Sequence, residues 1–107
     1  MPLTQEHTEF IAGAVASAID EVYLVDEEGN TVSGPKSATF VKNGSRAELE
    51  SDVTFDIEAE NTVAGWRAKN SDTDFGGYDF ESSQFYEYDG KAVLTAEYVY
   101  FEYEKNE

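Results

Sequence analysis

The pattern that decides the fold is clearest in residues 53–69, VTFDIEAENTVAGWRAK. From Val53 to Ile57, apolar residues alternate with acidic or hydroxyl residues. This two-residue period is typical of a strand that has one face in a core and the other in solvent. A polar turn at 60–62 leads into a second extended segment, which contains the only tryptophan of the chain, Trp66. The stretch therefore predicts two consecutive strands.

Short extended segments bounded by turn residues recur along the rest of the chain. We expect them at 22–25, 31–32, 37–41, 46–50, 84–88 and 91–104. Asp89-Gly90 is the strongest hairpin signal and predicts that 84–88 pairs with 91–104, with a bulge between Thr95 and Tyr98. Residues 70–81 are polar and contain glycine, so we expect a loop there.

Residues 1–19 have the period of a helix instead. Apolar residues recur at spacings of three and four from Phe10 to Ile19, and Thr4 is a candidate N-cap. We therefore expect one N-terminal helix over 1–19, followed by a single β-sandwich domain over 20–107.

The fold class that follows is mainly β. Seven or eight short strands with frequent turns, preceded by one helix, predict a small antiparallel β-sandwich, jelly-roll-like, or a partly closed barrel. A chain of 107 residues is long enough for one core without covalent staples. It contains no cysteine, which excludes disulfides and thiolate metal sites.

Acidic residues dominate the surface chemistry. The chain has 23 Asp and Glu against 7 Lys and Arg, a formal net charge of -16, and a pI near 4.1. At 40% hydrophobic and 14% aromatic residues it is too apolar for a disordered acidic tail. The acids are spread over the sequence, which favours adaptation of a folded exterior to high salt. An ordinary acidic protein from a low-salt organism is the alternative.

The negative net charge also limits the kinds of partner that the chain can bind. Nucleic-acid binding needs a basic face to contact phosphates, so we expect none. Acids that imitate DNA phosphates and occupy a DNA-binding enzyme are compatible with the composition, but their dispersed placement does not require that role. We find no secretory signal and no apolar stretch that reaches the length of a membrane span, so we expect a soluble protein without membrane contact.

Catalytic chemistry has few candidates. His7 is the only histidine, and in the first turn of the predicted helix a solvated structural role is expected for it. Carboxylate pairs are frequent by composition alone, and glycosidase chemistry requires two of them at a set separation in a cleft. We therefore predict a protein that is not an enzyme and has no catalytic residues.

Calcium is the one cofactor with a candidate site. Asn70, Asp72, Asp74 and Glu81 occupy the first, third, fifth and twelfth positions of a calcium-loop spacing of oxygen ligands. Phe75 stands at the sixth position, where that loop requires glycine. A solvated acidic loop is the alternative.

Aromatic residues crowd the last third of the chain. Alternation along the predicted strands places some tyrosines on the outer face, where they suit a protein interface. The small-residue surface of the helix is a second candidate contact. Together the candidate interface residues are Phe10, Gly13, Ala14, Tyr86, Tyr88, Tyr98 and Tyr100. Cross-strand packing and carbohydrate stacking are the alternatives for the tyrosines.

The order of motifs supports a resemblance. A short helix is followed by Val22-Tyr23-Leu24-Val25-Asp26 before a turn at Gly29, by Val53-Thr54-Phe55-Asp56-Ile57 leading into Asn61-Thr62-Val63-Ala64-Gly65-Trp66-Arg67-Ala68, and by Gly90, Leu94-Thr95, Val99 and Phe101. This order resembles that of small phage tail-fibre and minor tail proteins.

The resemblance, taken with the acidic composition, implies a structural protein of a virus that infects salt-loving archaea. Such a protein is made in the host cytoplasm and resides in the virion, as a tail fibre, turret or capsid decoration. It would form a homo-oligomer or bind neighbouring virion proteins. The alternatives are a free acidic binding module, with or without calcium, and a DNA-mimic inhibitor.

The composition predicts a salt-dependent stability. The Debye length falls from about 10 Å at 0.1 M salt to about 3 Å at 1 M, so molar salt screens most repulsion between the carboxylates. We expect the melting temperature to rise as KCl is increased from dilute buffer to 2 M. Differential scanning fluorimetry measures this, and an unchanged melting temperature would contradict the halophilic interpretation.

Overall fold

The fold is mainly β with one helix, as predicted. The computed structural model describes residues 5–96 and 99–102. Within them the elements are α1 (Gln5–Ala18), β1 (Glu21–Val25), β2 (Thr31–Ser37), β3 (Phe40–Asn43), β4 (Arg46–Leu49), β5 (Val53–Ile57), β6 (Asn61–Lys69), β7 (Asp74–Tyr86), β8 (Gly90–Leu94) and β9 (Val99–Glu102). The predicted N-cap, Thr4, lies outside the described residues.

The strands form three antiparallel sheets. Four strands lie in the order β2-β1-β6-β7, three in the order β3-β4-β9, and β5 pairs with β8. The helix α1 packs on β3 and β4. No helix in the described part of the chain has both the length and the apolar character needed to cross a bilayer.

The core lies between the inner face of the four-stranded sheet and the other elements. Leu24 on β1 and Trp66 on β6 are register partners and are both buried. The Trp66 ring stacks on Phe40 of β3, with centroids 6.1 Å apart and an interplanar angle of 11°. Phe55 on β5 is also fully buried. The alternation that predicted β5 therefore reflects its true inner face, which Val53, Phe55 and Ile57 form.

The first hairpin forms where the sequence predicts it. Asp26 accepts hydrogen bonds at one carboxylate oxygen from the backbone N–H groups of Glu28 and Asn30, both at 2.9 Å. Gly29 supplies the positive φ, 84°, that the turn requires. β1 and β2 are thereby joined in antiparallel register.

The predicted strand 37–41 is wrong, because the chain changes sheets inside it. β2 continues through Gly34-Pro35 to Ser37, and β3 begins only at Phe40. The Ala38 N–H donates to the Asp20 carbonyl at 2.9 Å, whereas the Thr39 carbonyl accepts from Glu50 at 2.8 Å. These bonds tie adjacent residues to different parts of the molecule.

The predicted loop at 70–81 is also wrong. Only residues 70–73 form a turn, and from Asp74 the chain is part of β7, the longest strand at 13 residues. The glycines that suggested a loop instead allow close pairing. Gly77 lies against the backbone of Trp66 and Arg67, where there is no space for a Cβ atom.

The strongest hairpin signal predicts the wrong partners. β7 pairs with β6, β8 pairs with β5, and β9 pairs with β4. The Asp89 carboxylate accepts from the Ala59 N–H at 2.8 Å, so Asp89-Gly90 joins two sheets instead of closing a two-residue hairpin.

The segment 91–104, expected as one strand, is interrupted. β8 ends at Leu94, and the Ala96 N–H donates to the Asp52 carboxylate at 2.6 Å before β9 begins at Val99. The predicted bulge between Thr95 and Tyr98 therefore lies at a transition between sheets, with Tyr98 itself outside the described residues.

Two glycine substitutions test this packing. In Gly77→Ala the new Cβ would overlap the Trp66 carbonyl oxygen, so we expect a loss of about 1–3 kcal/mol in unfolding free energy.

In Gly13→Ala the new Cβ meets only the Lys42 side chain, at 3.6 Å, so helix propensity predicts a gain of up to about 1 kcal/mol in unfolding free energy. Urea unfolding in 2 M KCl measures both, and equal effects would contradict the β6–β7 register.

Candidate protein-binding surface

An apolar concave surface lies between the helix and the start of β7. It encloses about 490 Å³ and is called the α1–β7 groove here; its lining residues are Phe10, Ile11, Ala14, Val15, Ala18, Ile19 and Phe75. Five of the seven come from the helix α1, where spacings of three and four bring them to one side, and Ile19 follows directly after its last residue. A surface without charged lining residues on a protein of charge -16 is a candidate for protein contact.

The groove is open because β7 is the outermost strand of its sheet. Tyr78 is the register partner of Trp66 and therefore lies on the inner face, with its ring 5.9 Å from the tryptophan ring. Tyr78 nevertheless remains 49% exposed and Phe75 37% exposed. The helix covers β3 and β4, so the inner face near β7 is only half covered.

Phe10 stands beside this groove with 74% of its surface exposed. Together with Ala14 it also lines a second, shallower groove of about 540 Å³ on the other side of the helix, next to Gly13 and Val41. Phe10 thus forms a ridge between two concave surfaces. The three helix residues predicted for an interface are therefore brought together.

The predicted tyrosine surface lies elsewhere. Tyr88 is 76% exposed, whereas Tyr86 is half-buried and its hydroxyl donates to the Lys91 carbonyl at 3.3 Å. Tyr98 and the side chain of Tyr100 lie outside the described residues. The two ends of β7, at Asp74 and Tyr86, pair with β6 residues that are eight positions apart. At the rise of a strand, this separates the two ends by about 26 Å. Tyr86 and Tyr88 therefore do not share one patch with Phe10, Gly13 and Ala14.

Phe75 lines the groove but is not among the residues that the sequence predicts for an interface. The calcium-loop spacing places this residue where glycine is required, and the glycines beside it suggested a turn. The sequence signal that was available is the spacing of Phe75, Tyr78 and Phe80, three aromatics within six residues. Loops seldom carry so many large apolar side chains.

Two of the candidate calcium ligands, Asn70 and Asp74, have other hydrogen-bond partners in this structure. The side-chain oxygen of Asn70 accepts from the N–H groups of Asp72 and Thr73, at 2.9 and 2.8 Å. Its amide donates to the Ala18 carbonyl at 3.0 Å. Asn70 thereby joins the tight turn before β7 to the end of the helix.

Glu81 lies on β7, seven residues after Asp74, and is therefore remote from this turn. In residues 5–96 and 99–102, no three His, Asp or Glu side chains are grouped as a metal ion would need. Asn70, Asp72, Asp74 and Glu81 are therefore not brought together as the calcium-loop spacing predicts.

Asp74 instead anchors the outer face of the sheet. One carboxylate oxygen accepts the Tyr23 hydroxyl from β1, and the other accepts the Gly76 N–H at 2.9 Å. The Tyr23 hydrogen bond is the main reason that the Asp74 pKa lies below 3.8, and the Gly76 N–H adds to it. The same bond raises the pKa of Tyr23 above 10.0. This pair therefore links two strands across β6.

Comparisons with family models, curated proteins and solved structures find no match to the chain. The resemblance to phage tail proteins stays a prediction.

The Tyr23–Asp74 bond predicts a pH dependence. Because the folded-state pKa of Asp74 is depressed, its contribution to stability is present above the unfolded value, 3.8, and is lost as pH falls through the lower folded value. Both groups are largely solvated, so we expect only about 0.5 kcal/mol. Tyr23→Phe should therefore lower the unfolding free energy at pH 6, with the difference shrinking below pH 3.8.

Urea unfolding of both proteins across this pH range measures the effect. Tyr86→Phe is the matched control, because it removes a hydroxyl that donates to an uncharged carbonyl. For the control, the change in unfolding free energy should stay constant with pH. If the change caused by Tyr23→Phe were also constant, the Tyr23 hydroxyl would not be what lowers the Asp74 pKa.

Proposed function

We propose that this protein is a non-enzymatic structural protein of a virion, which assembles with its own copies or with neighbouring virion proteins at high salt. Its place is a tail fibre, turret or capsid decoration. The setting is suggested by the order of sequence motifs, and the assembly role by the surface described above.

One observation carries the assembly role, namely the exposed Phe10 ridge beside an apolar groove. Complete burial of a phenylalanine side chain contributes roughly 1.5–3 kcal/mol, and most of this is forfeited while Phe10 stays in water. The adjacent groove offers an apolar site of the size that aromatic anchors fill in interfaces. An exposed aromatic side chain beside an apolar groove favours protein–protein assembly over small-molecule chemistry.

The acidic exterior is compatible with assembly when salt is high. Two copies of charge -16 repel each other in dilute buffer, but a Debye length of about 3 Å at 1 M salt confines the repulsion to direct neighbours. Apolar contacts do not depend on this screening and are strengthened by salting-out ions. Association through the α1–β7 groove is therefore expected to increase with salt.

Light scattering at 2 M KCl tests the proposal. We expect the parent protein to form an oligomer, and Phe10→Ser to weaken association by about 2 kcal/mol, or roughly 30-fold, as for an aromatic anchor. Phe85→Ser is the matched control, since Phe85 is also 59% exposed but lies at the far end of β7. A parent protein that is strictly monomeric, or equal effects of the two variants, would overturn the groove as the assembly surface.

A further inference from the structure

The four-stranded sheet has two edges of different character. The β2 edge contains Pro35 and Lys36 and has two irregularities in its register with β1. Prolines, lysines and bulges are the devices that keep other strands from adding to an edge. The β7 edge has neither proline nor a basic residue. The pairing of β7 with β6 has two irregularities, an excursion at 80–83 and a bulge near Phe75. Apart from that bulge, the stretch Asp74–Asp79 is in register with β6.

The two faces of this stretch differ in chemistry. Phe75 and Tyr78 lie on the inner side, where Phe75 forms a wall of the α1–β7 groove. Asp74 and Asp79 lie on the outer side, because their register partners are Lys69 and Gly65 on the outer face of β6. A strand added here would meet apolar surface on one side and carboxylates on the other.

Strand β7 and the turns that flank it carry only negative charges, whereas the neighbouring strand β6 contributes Arg67 and Lys69 to the outer face. Residues 70–90 contain six acids and no lysine or arginine. Beside the outer face, a cleft of about 320 Å³ is lined by the three carboxylates of Glu27, Asp79 and Glu81. Asp79 has an ion pair with Arg67 at 3.0 Å, and its side chain is still 76% exposed. The surroundings of the edge are therefore complementary to a cation.

We propose that the stretch Asp74–Asp79 of β7 accepts an extended, basic segment of a partner protein as an additional antiparallel or parallel strand. Main-chain hydrogen bonds hold the segment, as in other strand additions. Its apolar side chains occupy the inner side near Phe75, and its alternate Lys or Arg side chains meet the outer carboxylates. The partner segment is thus predicted to alternate basic and apolar residues.

A second copy of this chain fits the edge less well. Two β7 edges brought together would place Asp74 and Asp79 near the same residues of the partner, and like charges on adjacent strands are destabilising. A basic segment reverses the sign of that interaction. The inference deepens the proposed function and rests on it, since it names the chemistry of a neighbouring protein in the assembly.

Synthetic peptides separate strand addition from simple charge attraction. The probe is acetyl-Lys-Val-Lys-Val-Lys-Val-Lys-amide, titrated calorimetrically into the full chain at 0.15 M KCl. In an extended strand all valine amides point to one edge and all lysine amides to the other. N-methylation of three valine amides, or of three lysine amides, preserves charge and composition but removes donors from one edge only.

Strand addition predicts that one methylated peptide binds at least tenfold more weakly than the parent peptide, whereas the other binds within about twofold of it. Equal affinities of the two methylated peptides would overturn the proposal and show charge attraction alone. The absence of parent-peptide binding at 1 mM would overturn it as well.

Protein variants locate the bound peptide. The double variant Asp79→Asn, Glu81→Gln should weaken binding about three- to tenfold. The matched control is Asp56→Asn, Glu28→Gln, which makes the same change in charge and also removes an ion pair, Asp56 with Lys91 at 2.7 Å. Equal weakening by both doubles would overturn the site.

Failure of this inference is distinguishable from failure of the proposed function. The peptide is monovalent and its titration requires no self-association, whereas the Phe10→Ser experiment uses no peptide. Loss of peptide binding with intact oligomers would reject the strand site alone. A monomeric protein that still shows the edge-specific methylation effect would reject self-assembly alone.

Discussion

Burial of Trp66 at the centre of the four-stranded sheet is the constraint on which the remaining structure depends. The ring lies between Leu24 of β1 and Tyr78 of β7, and Phe40 stacks on it from the three-stranded sheet. Burying a side chain of this size contributes about 4–6 kcal/mol from apolar area. A slip of one residue in β6 would turn Trp66 into solvent. The register of β6 with both neighbours is therefore strongly determined.

That register also determines where the functional chemistry lies. With Trp66 inward, Tyr78 is inward and Asp79 is outward along β7. Because β7 is the last strand and the helix lies over β3 and β4, the inner aromatics near Phe75 remain partly exposed. The apolar groove and the acidic outer face are thus two sides of one strand, and both follow from the position of β6.

Local patterns predicted those elements whose partners are near in sequence. Strand β5 was predicted from its alternation, and the first hairpin from Asp26 and Gly29, because these signals depend on the residues themselves. The predictions failed where distant pairing overrides a local preference. Asp89-Gly90 has the sequence of a hairpin turn, yet Asp89 bonds to Ala59, thirty positions away. Similarly, the side chains of Asn70 and Asp74, two of the candidate calcium ligands, bond within a turn and between strands.

The sequence alone establishes the fold class, the acidic composition and the position of Phe10 and Ala14 on a helix. Periodicity and composition suffice for these properties, because each depends on how a residue partitions between water and a core. Only the tertiary structure decided that β7 is an edge, that Phe75 joins the helix in one groove, and that Asp79 and Glu81 border the same cleft as Glu27. Strand order arises from contacts between residues far apart in the chain, and no local pattern specifies which strand is left without a neighbour.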